Sequence, residues 1–165
     1  MTDAELLERN IDKLAECNPW LRAKSGAIIR DLQGHGYRPR IQEAWRSPAD
    51  QLTAYNAGRS KVRWGFHNAT RPDGKPDALA ADIVLDGAPY TEPREFLLKL
   101  YSSARAHGLE TGILFGVSAV DRVRLAKAVA AGNWSYSGPI GWDPWHVQPR
   151  PDTLTIAQAK RGERP

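Results

Sequence analysis

Two histidines and one aspartate are the side chains in this sequence best suited to holding a catalytic metal ion. Asp82 lies inside the apolar run 78–85, where a buried carboxylate is costly unless a partner compensates its charge. His67 and His146 both lie among aromatic residues that could shield a site from water. Two imidazoles and one carboxylate suit zinc with a fourth position open, although iron and manganese also accept this set. A salt bridge from Asp82 to an arginine is the alternative without a metal.

A further carboxylate is placed to act beside such a metal. Asp143 precedes His146 by three residues, a spacing that lets it reach water at the metal without being a ligand, as a general base must. Asp73 and Asp77 are competing candidates for the carboxylate ligand. Both lie in the polar loop 68–77, which contains a strong turn sequence, so Asp82 is the preferred ligand.

These residues belong to a longer set of motifs between residues 37 and 148. The set consists of Arg46, Gln51, Tyr55, Gly58-Arg59-Ser60, His67, Ala80-Ala81-Asp82-Ile83 and Asp143-x-x-His146. It resembles the M15 family of zinc peptidases, which includes D-alanyl-D-alanine carboxypeptidases and the L-alanyl-D-glutamate endopeptidases of phage endolysins.

The resemblance implies a role for each matching residue. His67, Asp82 and His146 match the zinc ligands of the family, and Asp143 matches its catalytic carboxylate. Arg46 matches an arginine that helps to bind substrate and to stabilise the developing oxyanion. The implied reaction is zinc-assisted hydrolysis of an amide, in which Asp143 takes a proton from water and delivers it to the leaving amine.

Other residues are weaker candidates for contact with substrate. Gln51 and Tyr55 lie one helical turn apart and could face the cleft, but helix packing explains them equally well. Trp145 could line the substrate groove, and core packing is the alternative. The segment 59–63 carries cations at alternate positions, which could attract the carboxylates of a stem peptide or could form a solvated basic edge.

The sequence departs from the family pattern in three places. Gly65 stands where the family usually has serine, and the interval from His67 to Asp82 is longer than usual. The usual Trp-Gly-Gly element is absent after residues 108–110, where an inserted helix follows instead. These departures leave the metal site intact and leave the substrate preference open.

Length and charge narrow the class of protein. The 165 residues fit one domain, and no apolar stretch approaches the roughly 18 residues of a membrane span. The net charge of +4 favours a polyanionic partner, such as nucleic acid, an anionic membrane or the bacterial cell wall. No nucleic-acid-binding module is recognisable. Cys17, the single cysteine, forms neither an internal disulfide nor a thiolate metal site.

The predicted elements give an α+β fold, because helices and strands do not alternate regularly. Helices are predicted over 3–16, 19–32, 48–56, 93–106 and 118–131, and strands over 37–45, 78–85 and 142–148. The resemblance implies a small antiparallel sheet flanked by helices, as in hedgehog and D,D-peptidase folds. We expect one zinc peptidase domain at 1–150, with N-terminal helices at 1–36 and a catalytic core at 37–148. A loose basic tail is expected at 151–165.

The function expected from the resemblance is hydrolysis of peptidoglycan stem peptides, with zinc as the cofactor. An L-alanyl-D-glutamate endopeptidase of phage endolysin type is favoured, and a D-Ala-D-Ala carboxypeptidase is one alternative. A non-catalytic zinc-stabilised module of the same fold is another. The N-terminus has early acidic residues and no apolar signal region. We therefore expect a protein that is made in the cytoplasm and released by a holin-type route. We also expect a monomer that binds neither nucleic acid nor the membrane interior.

Overall fold

The computed structural model describes residues 1–165 as one small sheet surrounded by helices. The helices are α1 (Asp3–Ala15), α2 (Pro19–Gly34), α3 (Pro48–Asn56), α4 (Arg94–Ala106), α5 (Ala119–Ala130) and α6 (Ile156–Lys160), with a 3-10 turn at Phe66–Asn68. The strands are β1 (Pro39–Glu43), β2 (Ala81–Leu85), β3 (Leu109–Gly112) and β4 (Asp143–Pro149). They form an antiparallel sheet in the order β1-β2-β4-β3. The predicted α+β class is confirmed.

One face of the sheet forms the main core with helices α2 and α4. Ile41, Ile83 and Val147 come from three adjacent strands and are fully buried against those helices. Successive side chains of a strand point to opposite faces of the sheet. Asp82, next to Ile83, therefore belongs to the face that does not pack on the helices. The burial of the apolar residues thus places the polar ones together on the other side.

Helix α1 covers the edge of the sheet that β1 forms. The Asn10 side-chain amide donates to the Pro39 carbonyl at 3.0 Å, and its oxygen accepts from the Ile41 amide at 2.8 Å. These two bonds replace those that a neighbouring strand would make, so β1 is protected from pairing with another chain. None of the helices combines the length and the apolar character needed to span a lipid bilayer.

The expectation of a loose tail is wrong. Leu154 is buried against Phe66 and Leu79 in a second, smaller cluster, and the short helix α6 follows it. The Arg164 guanidinium forms an ion pair with Asp77. The tail therefore packs behind the segment that carries His67 and supports it.

Replacing Leu154 with alanine tests this packing. We expect the free energy of unfolding to fall by about 2–4 kcal/mol, the usual cost of emptying a buried leucine site. Urea denaturation measures it. Thr153→Ala is the control, because Thr153 is exposed beside it. A Leu154→Ala protein as stable as this control would show that the tail is not held in place.

Candidate metal centre

Strand pairing brings together residues that are far apart in the sequence. Asp82 on β2 lies directly opposite His146 on β4, and Glu43 on β1 lies opposite Asp82 on its other side. His67 comes from the 3-10 turn, where its carbonyl accepts the Arg46 backbone amide at 3.0 Å. Three strands and one anchored turn thus converge on a single point of the sheet.

The three predicted ligands form a cluster whose dimensions suit a tetrahedral metal. His67 Nε2 lies 3.2 Å from His146 Nδ1 and 3.5 Å from Asp82 Oδ1. His146 Nδ1 lies 3.1 Å from the same carboxylate oxygen. Zinc bonds of about 2.0–2.1 Å in tetrahedral geometry place ligand atoms about 3.3 Å apart. The donor set and its spacing both fit this ion.

The outer nitrogens of both imidazoles are already bound to acceptors. His67 Nδ1 lies 2.6 Å from the Ala44 carbonyl, and His146 Nε2 lies 2.9 Å from Gln148 Oε1. Gln148 in turn donates to Glu110 at 3.3 Å, which fixes the direction of its amide. In a neutral imidazole, an outer nitrogen that donates to a carbonyl leaves the inner nitrogen with a lone pair. Two such nitrogens and a carboxylate around one point form a group that could hold a metal ion.

The charged groups of the cluster shift one another's pKa values. Burial opposes ionisation of Asp82, but His67 and His146 outweigh it and hold the pKa of this carboxyl well below its usual range. Burial likewise disfavours a charged His67, yet Asp82 raises its pKa above the ordinary value. The carboxylate is therefore ionised over the physiological range, which is the form that binds a metal.

The two competing aspartates have other partners. Asp77 is buried, accepts a hydrogen bond from Asn18 at 2.9 Å and pairs with Arg164. Asp73 is exposed in the turn, where its carboxylate accepts the backbone amide of Lys75. Neither belongs to the cluster, so Asp82 is the carboxylate that the structure places with the histidines.

Asp143 begins β4 at an irregularity of the sheet. Val147 pairs with Thr111, whereas Asp143 pairs with the next residue of β3, Gly112, so the ladder skips residues 144–146. This break suspends the strict alternation that would send Asp143 and His146 to opposite faces. Burial raises the pKa of Asp143, and the charges of the cluster act on it as well. Asp143 thus begins the strand that carries His146, three residues before it.

Gly112 is required where β3 meets Asp143. A Cβ at this position would overlap the Asp143 carbonyl, which is backbone and has little freedom to move. We expect Gly112→Ala to push β4 away, to lower the free energy of unfolding by about 1–3 kcal/mol and to weaken metal binding. Urea denaturation and zinc titration measure both effects.

Gly34→Ala is the matched control for that substitution. Gly34 ends α2, and a Cβ there would meet nothing within 4 Å, so alanine should be tolerated. Equal stability and equal zinc affinity of the Gly112→Ala and Gly34→Ala proteins would contradict the close approach at Asp143.

Arg46 is held beside the cluster by two side chains. Its guanidinium makes a bidentate ion pair with Glu43, and its Nη1 donates to Gln51 Oε1 at 2.9 Å. The hydrogen bonds that Arg46 donates to Glu43 raise the pKa of Arg46 despite its partial burial, and the charge of Asp82 adds to this effect. Three of the five N–H groups are thus occupied, which leaves two for an oxygen of a substrate.

The weaker candidates occupy different surroundings. Gln51 is buried and holds Arg46 instead of facing solvent. The Arg63 guanidinium lies over the ring of Tyr55, with its carbon 5.1 Å from the ring centroid. Trp145 is partly buried against the main core and contacts Tyr90 edge-on at 5.0 Å.

Tyr90 is a neighbour of the site that sequence reasoning missed. Its backbone has φ of +65°, in the left-handed region that non-glycine residues rarely adopt. Burial raises the pKa of its phenol, and the negative charges of Asp82 and Glu43 add to this effect. No sequence signal marks Tyr90, because its approach depends on the turn that follows β2.

Comparison with known proteins identifies the fold. The chain matches the crystal structure of Serratia marcescens L-Ala D-Glu endopeptidase ChiX with a TM-score of 0.51 at 19% sequence identity. The match covers 90% of this chain and 94% of that chain. No protein-family model and no curated protein sequence matches the chain. The protein therefore has a peptidase-like fold with a potential metal site of two histidines and one aspartate.

Proposed function

We propose that this protein is a zinc-dependent peptidase of M15 type that hydrolyses peptidoglycan stem peptides. The observation that carries the proposal is the convergence of His67, Asp82 and His146 on one point, with the outer nitrogen of each imidazole held by an oxygen acceptor. The name of the structural neighbour, an L-Ala D-Glu endopeptidase that this chain matches over most of its length, supports the substrate class.

The proposed site divides the chemistry between the metal and the chain. When bound by His67, Asp82 and His146, zinc supplies a Lewis acid that polarises a carbonyl and makes water more acidic. Asp143, three residues before His146 on β4, takes the proton from the attacking water. It then returns this proton to the nitrogen of the leaving amine, so the amide bond breaks without release of an unstable amide anion.

Arg46 has a distinct part in this proposal. Its two unoccupied N–H groups donate to the oxygen that becomes negative as the amide carbon turns tetrahedral. Glu43 and Gln51 hold the guanidinium in place before substrate binds. Such preorganised donors stabilise a developing charge by about 3–4 kcal/mol in known enzymes.

The choice of scissile bond follows the structural match to the L-Ala D-Glu endopeptidase. We propose that the L-alanyl-D-glutamate bond is cut by a single peptidase domain acting as a monomer. A phage-endolysin role with release through a holin-type route completes the proposal.

Mass spectrometry of digested disaccharide pentapeptide tests the proposed bond. The zinc-loaded protein should release a peptide that begins at D-glutamate and leave L-alanine on the sugar. Release of a terminal D-alanine instead would make the protein a D,D-carboxypeptidase. No cleavage of the pentapeptide or of intact sacculi would contradict a peptidase and favour a zinc-binding module.

A further inference from the structure

The basic segment 59–63 presents three cations that have no acidic partner within the chain. Lysine ion pairs involve Lys13, Lys75 and Lys99. Arg59, Lys61 and Arg63 are all exposed and form no ion pair with a carboxylate. Arg46, by contrast, is paired with Glu43, and Arg164 is paired with Asp77. Such unpaired cations are available to bind an external anion.

The segment is tied to the candidate site from one side. The amide nitrogen of Gln51 donates to the Val62 carbonyl at 2.6 Å and to Ser60 Oγ at 2.7 Å. The oxygen of the same Gln51 amide accepts from Arg46. A single buried side chain therefore fixes the position of the basic segment relative to the arginine of the site.

Aromatic contacts tie the segment to the site from a second side. The Lys61 ammonium lies 4.6 Å from the ring centroid of Trp142, which is 57% exposed. The ring centroids of Trp142 and Phe115 are 5.5 Å apart, and those of Phe115 and His146 are 5.8 Å apart. A cation over an indole face is oriented as well as attracted. Lys61 is thus linked to His146 through two aromatic rings.

We propose that Lys61, with Arg63 beside it, binds a free carboxylate of the stem peptide next to the scissile bond and so selects acidic substrates. This inference rests on the proposed function and specifies the substrate class for the same site. Stem peptides carry a free α-carboxylate where the chain continues through the side chain of D-glutamate, and amidation removes this charge. Arg46 is already paired with Glu43 in the site, whereas Lys61 and Arg63 have no carboxylate partner and are free to meet this charge.

Paired synthetic peptides provide the test. One is L-Ala-γ-D-Glu-L-Lys-D-Ala, and the other carries D-isoglutamine in place of D-glutamate. The zinc-loaded wild-type protein should cleave the acidic peptide with a kcat/KM about tenfold higher, the factor expected for one charge-assisted contact. Lys61→Gln should raise KM for the acidic peptide about tenfold, leave the amidated peptide unchanged and remove the preference.

Two variants control the experiment. Lys61→Arg keeps the charge and should keep the preference, and Lys127→Gln removes an exposed lysine from α5 and should change nothing. Equal loss of activity on both peptides in Lys61→Gln, or no preference in the wild-type protein, would overturn the inference alone. A wild-type protein that cleaves neither peptide would overturn the proposed function and this inference with it.

Discussion

Replacing Asp143 with alanine is expected to leave one zinc ion bound per chain and to reduce kcat by about 10²–10⁴-fold, the usual contribution of a general acid–base group. Asp143 is not one of the three clustered ligand atoms, so its loss does not remove a metal donor. It removes the carboxylate that, in the proposed mechanism, moves the proton from water to the leaving amine. Elemental analysis and steady-state kinetics on a stem peptide measure the two quantities separately.

Asp152→Ala is the control for that experiment. Asp152 is an exposed aspartate whose partner is Arg150, and its loss should leave both zinc content and kcat unchanged. Near-normal kcat in the Asp143→Ala protein would contradict the assigned role. Loss of zinc from that protein would instead make Asp143 part of the metal-binding set.

Replacing His146 with alanine should abolish both metal binding and hydrolysis. His146 contributes the central nitrogen of the cluster, within 3.2 Å of the inner nitrogen of His67 and 3.1 Å of the Asp82 carboxylate. A metal that binds the folded chain and not the unfolded chain stabilises the native protein by about 4 kcal/mol when its concentration is 1,000 times its Kd. The His146→Ala protein should lose this zinc-dependent increase in Tm.

Thermal denaturation with and without zinc measures that difference. His35→Ala is the matched control, because His35 is an exposed imidazole at the C-terminus of α2 and should leave the zinc effect intact. A His146→Ala protein whose Tm still rises with zinc, to the same extent as in the wild type, would contradict the ligand assignment.

The sequence predicts the ligands of the candidate site better than it predicts the residues that hold the site in place. Asp82 is conspicuous because a carboxylate inside an apolar strand needs a partner, and this argument requires no knowledge of the fold. Glu43 and Gln148 have no such signal. Each reaches the site only through strand pairing, Glu43 opposite Asp82 and Gln148 opposite Glu110. Sequence periodicity does not specify which strands are neighbours.

The same limit explains the elements that were not predicted. Strand β3 spans only Leu109–Gly112 and lies between glycines, so it offers little hydrophobic pattern. It forms because β4 supplies its partner and because Gly112 permits the close approach to Asp143. The C-terminal tail is charged and rich in proline, yet it folds because Leu154 finds an apolar site. Tertiary contacts, and not local sequence, determine the structure of both β3 and the C-terminal tail.

Digestion of purified Gram-negative sacculi, with and without a chelator, tests the central claim most directly. We predict that mass spectrometry will find soluble peptides beginning at D-glutamate, that chelation will stop their release and that added zinc will restore it. Zinc-loaded protein that releases no fragment from several wall types would contradict a peptidase. The metal centre would then belong to a binding module with a peptidase-like fold.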